Sequence, residues 1–230
     1  MNQNQPKSVL LLEDDPVQGA ATQSTLEAAG LRVTMVDTLV GAIAWLQAAR
    51  VDAILVDLGL PDAFGLQAAH QIAAMQLDAP FLVLTATDDA ELGLAAVQLG
   101  AEDVLVKGLD DHRLVRAIHF AFKRFNRRAA LEARTQYLDR IFQETPDALL
   151  VLDGKRRILR ANKAAGLLYG QDPALLEGVR LAAEMPEGVP VELHVRQSSG
   201  KEGRAVAISR WLTDGPSSLR LVSIRAVPGD

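Results

Sequence analysis

The 230-residue sequence contains no cysteine, which excludes disulfide bonds, thiol catalysis and cysteine-based zinc sites. Aromatic residues are also scarce, at 4% of the chain, and this shortage favours a helix-rich α/β protein over an all-β fold. The sequence has neither a signal peptide nor an apolar run of about 18 residues. We therefore expect a cytoplasmic protein with no membrane partner.

An excess of positive charge is missing too, because the formal net charge is −5. This balance argues against a nucleic-acid partner, since binding to phosphate backbones depends on clustered cations. The sequence also lacks a glycine-rich phosphate-binding loop, so hydrolysis of ATP is not expected. We predict that these residues contain no separate enzymatic output domain.

Four short apolar runs in the first half of the chain each lead into polar side chains. The runs cover residues 9–12, 53–56, 81–84 and 104–106. The side chains that follow them are Glu13, Asp14 and Asp15, then Asp57, Thr85 and Lys107. Apolar runs of this length are typical of strands buried on both faces of a parallel sheet. The carboxyl ends of such strands meet at one edge, so we expect these side chains to form a single site.

The residue types at these strand ends suit one kind of chemistry. Carboxylates gathered at one place repel each other unless a cation compensates, and an oxygen-lined site of this kind suits Mg²⁺. A carboxylate nucleophile, a metal ion, and a hydroxyl and an ammonium as donors are what phosphoryl transfer to an aspartate requires.

Helical patterns separate the apolar runs. We predict helices at residues 16–29, 39–49, 64–75 and 89–100, and strands at residues 9–12, 31–36, 53–57, 80–84 and 103–107. Five strands that alternate with helices predict a parallel sheet with right-handed crossovers.

Four motifs, at residues 10–16, 56–62, 84–86 and 104–108, together resemble those of a response-regulator receiver domain. The resemblance covers residues 7–125 and implies a flavodoxin-like, doubly wound, five-stranded parallel sheet. It also implies that a sensor histidine kinase or a phosphotransfer protein is the partner that donates a phosphoryl group to this domain.

By the same resemblance, Asp57 is the phosphoacceptor, and Glu13 and Asp14 form an acidic pair. Asp14, Asp57 and the carbonyl of Gly59 would bind Mg²⁺, with Glu13 beside them. Thr85 and Lys107 would hold phosphoryl oxygens, and Asp15 is expected to be a flanking residue.

One position departs from the family pattern. Receivers commonly carry an aromatic residue three positions before the lysine, and Val104 stands there. A valine cannot make the usual inward swing, so we expect the signal to leave through the last helix instead.

That last helix is predicted to extend far beyond the receiver, because no Pro or Gly occurs from residue 114 to about 143. Two apolar seams lie along it, Leu114, Ile118, Ala121 and Phe125, then Leu131, Leu138 and Ile141. The seams are offset, as in a coiled coil with a stutter. We expect residues 126–144 to be a helical linker that pairs in a homodimer. A basic cluster at residues 123–128 is either a solvated face or a docking patch.

Residues 145–230 change to a β pattern that resembles a small α+β PAS domain. A strand at 148–152 and its hairpin partner at 157–162 precede a short helix at 164–169. Further strands are predicted at 191–197, 204–212 and 219–227, in an antiparallel sheet. The interval between residues 179 and 191 is too short for the helices that usually enclose a PAS cavity, and His194 lies in a strand pattern. We therefore expect no haem or flavin, and a role in protein contact and dimerisation.

Three alternatives come from other classes. A haloacid-dehalogenase-type phosphatase needs a second aspartate where Gly59 stands, and a dinucleotide-binding fold needs glycines where Glu13 to Pro16 stand. The third alternative, a phosphorylation-independent scaffold with a vestigial receiver, stays open.

The domain boundaries are predicted as 1–125, 126–144 and 145–230. The chain is expected to be either a complete adaptor or the front part of a longer protein.

Overall fold

The computed structural model describes residues 6–108, 110–196, 200, 202–212 and 218–227. The chain divides into two compact units, Met1–Leu131 and Glu132–Asp230. Within the described ranges, the helices are all too short or too polar to cross a membrane.

The first unit is built on a parallel sheet of five strands. These are β1 (Ser8–Leu12), β2 (Arg32–Val36), β3 (Ala53–Asp57), β4 (Phe81–Thr85) and β5 (Asp103–Val106). Their order across the sheet is β2-β1-β3-β4-β5, which is the flavodoxin-like order. The predicted fold class is therefore confirmed. Every residue of β3 and β4 is buried, as expected for central strands with helices on both faces.

Five helices alternate with these strands. They are α1 (Pro16–Ala28), α2 (Leu39–Ala48), α3 (Gln67–Ala74), α4 (Ala90–Gln98) and α5 (Asp111–Glu144). The side chains of Asp15, Thr38 and Asp89 cap α1, α2 and α4 by accepting backbone N–H groups of the first turn.

The prediction that α3 begins at residue 64 was wrong. Gly65 has a φ of +54°, which lies outside the helical region, so the helix begins only at Gln67. Phe64 is consequently left in the loop with its side chain 85% exposed.

Only one of the two apolar seams of α5 faces solvent. In the first seam, Ile118 and Ala121 are fully buried in the receiver core, together with strand residues of β1 and β3. That seam packs on its own sheet, so reading it as a coiled-coil seam was wrong. Leu131, Leu138 and Ile141 of the second seam are exposed.

Among its described residues, the second unit contains the end of α5, an antiparallel sheet and a short α-helix. Its elements are β6 (Ala148–Leu152), β7 (Ile158–Ala161), α6 (Lys163–Tyr169), β8 (Val191–Arg196), β9 (Glu202–Trp211) and β10 (Arg220–Ala226). The strand order is β7-β6-β10-β9-β8, and each adjacent pair is antiparallel. The small α+β domain is therefore confirmed. A 3-10 helix at Pro173–Leu176 follows α6. Position 197 of the predicted eighth strand lies outside the described residues.

Candidate functional site

A lysine joins two buried carboxylates at the carboxyl edge of the first sheet. Lys107 Nζ lies 2.8 Å from Asp57 Oδ2 and 2.8 Å from Glu13 Oε2. Glu13 and Asp57 are 1% and 3% exposed. Two charges of the same sign are tolerated here because one ammonium lies between them.

The third acid completes a group of oxygen ligands. Glu13, Asp14 and Asp57 each offer a carboxylate oxygen, and these oxygens all lie within 4.8 Å of one another. Asp14 is exposed, whereas the other two are buried. Three hard oxygen donors open to solvent on one side fit Mg²⁺, which keeps several of its waters.

Burial and charge shift the proton affinities at this site. Burial raises the pKa of Glu13, the hydrogen bond from Lys107 opposes that rise, and the charge of Asp57 adds to it. For Lys107, burial alone would lower the pKa, but the hydrogen bonds to Asp57 and Glu13 and their charges outweigh it and raise the pKa. The lysine is therefore held in its charged form as a donor.

Thr85 lies at the end of β4 but its hydroxyl is already engaged. Thr85 Oγ1 donates to the carbonyl of Thr87 at 3.2 Å and accepts the Thr87 N–H at 3.2 Å. The backbone N–H of Lys107 donates to the Thr85 carbonyl at 2.7 Å. Thr85 is thus next to Lys107 along the sheet edge, while its hydroxyl binds the loop that follows. No pattern in the sequence predicts these hydrogen bonds between Thr85 and Thr87.

Two residues shape the loop after Asp57. A Cβ added at Gly59 would lie 3.2 Å from Asp57 Oδ2, so a larger side chain there would crowd the carboxylate. Asp62 accepts the N–H groups of Leu39 and Val40 at 2.9 and 3.0 Å, which ties this loop to the start of α2. These bonds lower the pKa of Asp62, with the Val40 N–H contributing most.

Two neighbouring residues lie outside this cluster. Asp15, predicted as a flanking residue, accepts the N–H groups of Val17 and Gln18 at the start of α1. Val104 is partly buried and packs against the core on one face of the sheet.

The four cationic residues of the basic cluster at residues 123–128 are all exposed, and two of them have an acidic partner. Arg124 and Arg128 form ion pairs with Glu102. His194, in the second unit, is exposed in β8.

Sequence comparisons agree with this arrangement. The family model described as response regulator receiver domain matches residues 9–119, and the one described as PAS fold matches residues 142–230. The swarming motility regulation protein RssB of Serratia marcescens is 31% identical over 153 residues, which is 66% of this chain and 68% of RssB.

The chain belongs to the response-regulator family. Its receiver domain is followed by a PAS fold, as the motifs had indicated. The C4-dicarboxylate transport transcriptional regulatory protein DctD of Rhizobium meliloti is 28% identical over 206 residues, or 89% of this response regulator and 40% of DctD. This response regulator thus spans less than half the length of DctD.

A solved receiver has the same fold. The signal receiver domain of a putative Luxo repressor protein from Vibrio parahaemolyticus superposes with a TM-score of 0.51 and 25% identity. The match covers 55% of this response regulator and 98% of that structure, so it is confined to the receiver.

Proposed function

We propose that this response regulator accepts a phosphoryl group on Asp57 from a histidine kinase or a phosphotransfer protein, and that Mg²⁺ is the cofactor. The observation that carries the proposal is the single ammonium of Lys107 placed 2.8 Å from both Asp57 and Glu13. Asp14 lies within the same group of carboxylate oxygens.

In the proposed reaction, an Asp57 carboxylate oxygen attacks the phosphorus of a phosphohistidine. The P–N bond breaks, its electron pair stays on the imidazole nitrogen, and that nitrogen takes up a proton from solvent. Bound Mg²⁺ would be held by Asp14, Asp57 and the Gly59 carbonyl, with Glu13 beside them, and would neutralise charge on the phosphoryl oxygens. The side chains here supply position and charge, as is usual in phosphoryl transfer.

Lys107 has a defined part in this reaction. Its ammonium forms an ion pair with Asp57 before transfer and would move to a phosphoryl oxygen afterwards, because the aspartyl carboxyl group of the acyl phosphate that forms no longer carries the full carboxylate charge. Thr85 would supply a second donor from the adjacent strand end.

Labelling with a small phosphodonor tests the proposal. The purified protein is incubated with acetyl phosphate, with Mg²⁺ or with EDTA, and intact mass is measured. We expect one added phosphoryl group that depends on Mg²⁺ and is absent in Asp57→Asn. Asp15→Asn, a matched change in the helix-capping neighbour, should still be labelled. Unlabelled wild-type protein would instead favour the phosphorylation-independent scaffold.

We further propose that the protein forms a homodimer through α5 and the PAS domain. In support, residues 126–141 of α5 are all exposed, although a helix in water gains most of its stability by burying an apolar face. Leu138→Glu should shift the mass in solution toward the monomer, whereas Arg134→Glu, on the same helix, should not. A monomeric wild-type protein at micromolar concentration would contradict the dimer.

A further inference from the structure

A buried glutamate fixes the middle of α5 to the receiver. Glu102 lies directly before β5, and its side chain is 7% exposed. Arg124 Nε donates to Glu102 Oε2 at 3.2 Å, and Arg124 Nη2 donates to the Glu102 carbonyl at 2.7 Å. Arg128 Nη2 lies 3.0 Å from Glu102 Oε1. One residue therefore holds two successive turns of the helix, and we call this set the Glu102 clamp.

The clamp is only partly satisfied. Glu102 Oε1 is buried and has no hydrogen bond among the described residues, so Arg128 neutralises its charge without an aligned N–H. A desolvated carboxylate depends strongly on such cations. A small shift of α5 would therefore disturb the ion pairs of Glu102. A shift of Glu102 would disturb the same ion pairs and so act on α5.

The clamp and the phosphoacceptor site lie at opposite ends of one short strand. Glu102 precedes β5 and Lys107 follows it. The strand is held to β4 at both ends, because the Lys107 N–H donates to the Thr85 carbonyl at 2.7 Å and the Glu102 N–H donates to the Phe81 carbonyl at 2.9 Å. The β4–β5 pair thus carries Thr85 and Lys107 at one end and the clamp at the other.

Two features allow this strand pair to move. β5 is an edge strand of the sheet, so among the described residues its backbone pairs with a single strand, β4. A pocket of about 150 Å³ that is open to solvent borders the clamp, and its lining includes Glu102, Phe125 and Arg128. Empty space beside Phe125 lets this part of α5 shift without compressing a packed core.

We propose that Glu102 is a positioning residue for α5, and that it transmits the rearrangement of Lys107 and Thr85 on phosphorylation to Arg124 and Arg128. The inference rests on the proposed phosphorylation of Asp57. By this route the signal would pass from β5 to α5 without an aromatic residue at position 104, where Val104 stands.

Hydrogen exchange with mass-spectrometric detection on the full chain tests this route. Exchange of α5 residues 117–131 is measured with and without beryllofluoride and Mg²⁺, in wild type, Glu102→Gln, the double variant Arg124→Gln/Arg128→Gln, and Arg127→Gln. Arg127 is the matched control, because it is exposed on the same stretch of helix and has no ion pair with another described residue.

In wild type we expect beryllofluoride to change exchange in this stretch of helix. In Glu102→Gln and in the double variant, exchange should be roughly tenfold faster without beryllofluoride, as for the loss of a charge-assisted hydrogen bond. The response to beryllofluoride should be lost in both, while Arg127→Gln behaves as wild type. All variants should still be labelled by acetyl phosphate, which separates the clamp from the phosphoacceptor site.

Two results would overturn the inference. One is a wild-type chain that is labelled on Asp57 but shows no change of exchange in α5. The other is a labelled Glu102→Gln or double variant that keeps the full beryllofluoride response, which would make the clamp merely structural. A wild-type chain that is not labelled and does not respond to beryllofluoride overturns both this inference and the proposed function.

Discussion

Replacement of Asn162 by alanine should destabilise the second unit more than most single substitutions. Asn162 is fully buried. Its side-chain oxygen accepts the N–H of Leu149 at 2.9 Å and the N–H of Ala165 at 2.9 Å. Its amide nitrogen lies within hydrogen-bond distance of the carbonyls of Phe142, at 3.1 Å, and of Asp147, at 2.9 Å. The side chain therefore joins the end of α5, β6 and the start of α6.

The magnitude follows from the groups that the substitution leaves unpaired. The Ala165 N–H loses the acceptor that caps the start of α6, and the loss of such a cap costs about 0.5–2 kcal/mol. The Leu149 N–H loses its acceptor in a partly buried position, which costs about 1–3 kcal/mol. The carbonyls of Phe142 and Asp147 each lose a donor, but a carbonyl oxygen can accept a hydrogen bond from water instead. We expect a loss of roughly 2–4 kcal/mol in the free energy of unfolding, a large fraction of the 5–15 kcal/mol typical of a domain.

The two tryptophans allow the second unit to be followed alone. Trp45 lies in α2 and Trp211 ends β9, so a Trp45→Phe background leaves fluorescence from the second unit only. Urea denaturation is measured on the full chain with Trp45→Phe alone and with Asn162→Ala added. Each curve gives a midpoint and the slope of the unfolding free energy against urea concentration. The expected result is a lower midpoint with an unchanged slope.

A serine at the same position separates the two contributions. Asn162→Ser keeps a hydroxyl that can cap α6 through the Ala165 N–H, but it is too short to reach Leu149 as well. We expect it to recover about 1 kcal/mol relative to alanine. If the alanine variant unfolded within about 0.5 kcal/mol of its parent, the hydrogen bonds of Asn162 would contribute far less than their burial implies, and the reasoning would be refuted.

Three further predictions concern Asp62 and two glycines in helices. Because its pKa is lowered when folded, Asp62 should stabilise the protein fully above its unfolded pKa and lose that contribution as the pH falls through its folded pKa. The difference in unfolding free energy between wild type and Asp62→Asn should accordingly shrink below about pH 4, and a constant difference down to pH 2 would contradict it. Gly93→Ala in α4 should stabilise by about 1 kcal/mol, since a new Cβ meets nothing within 4 Å. Gly166→Ala should destabilise, because its Cβ would lie 2.7 Å from Pro173 and 2.8 Å from the Gln171 carbonyl, and urea midpoints of the pair should move in opposite directions.

The proximity of Glu13, Asp57 and Lys107 could be predicted from the sequence, because it follows from the topology of the sheet. Once the apolar runs were assigned to parallel strands, Glu13, Asp57, Thr85 and Lys107 had to lie at the same edge of the sheet. No side-chain contact had to be known in advance. The parallel sheet and the long helix could be predicted as well, since the first depends on a small set of allowed connections and the second on a local pattern.

The contacts that fix α5 could not be predicted in this way. Glu102 follows the turn at Gly100 and reads as an ordinary surface acid, and its partners Arg124 and Arg128 lie in a run of charges that favours a solvated face. Their pairing depends on how far α5 extends past the edge strand and on which side it packs. The same holds for the first apolar seam, whose periodicity fits a coiled coil and a sheet-facing helix equally.

The engagement of Thr85 with Thr87 has a consequence for how the receiver responds. A hydroxyl has one proton to donate, and here it is donated to the Thr87 carbonyl at 3.2 Å. If Thr85 donates to a phosphoryl oxygen, that bond must break, and Thr87 must find another partner. Because position 104 on the adjacent strand is a valine, it offers no aromatic side chain to follow the threonine inward. The change on the proposed phosphorylation would then be divided between the loop after β4 and the backbone hydrogen bond from Lys107 to Thr85. The second of these would lead along β5 to Glu102 and α5.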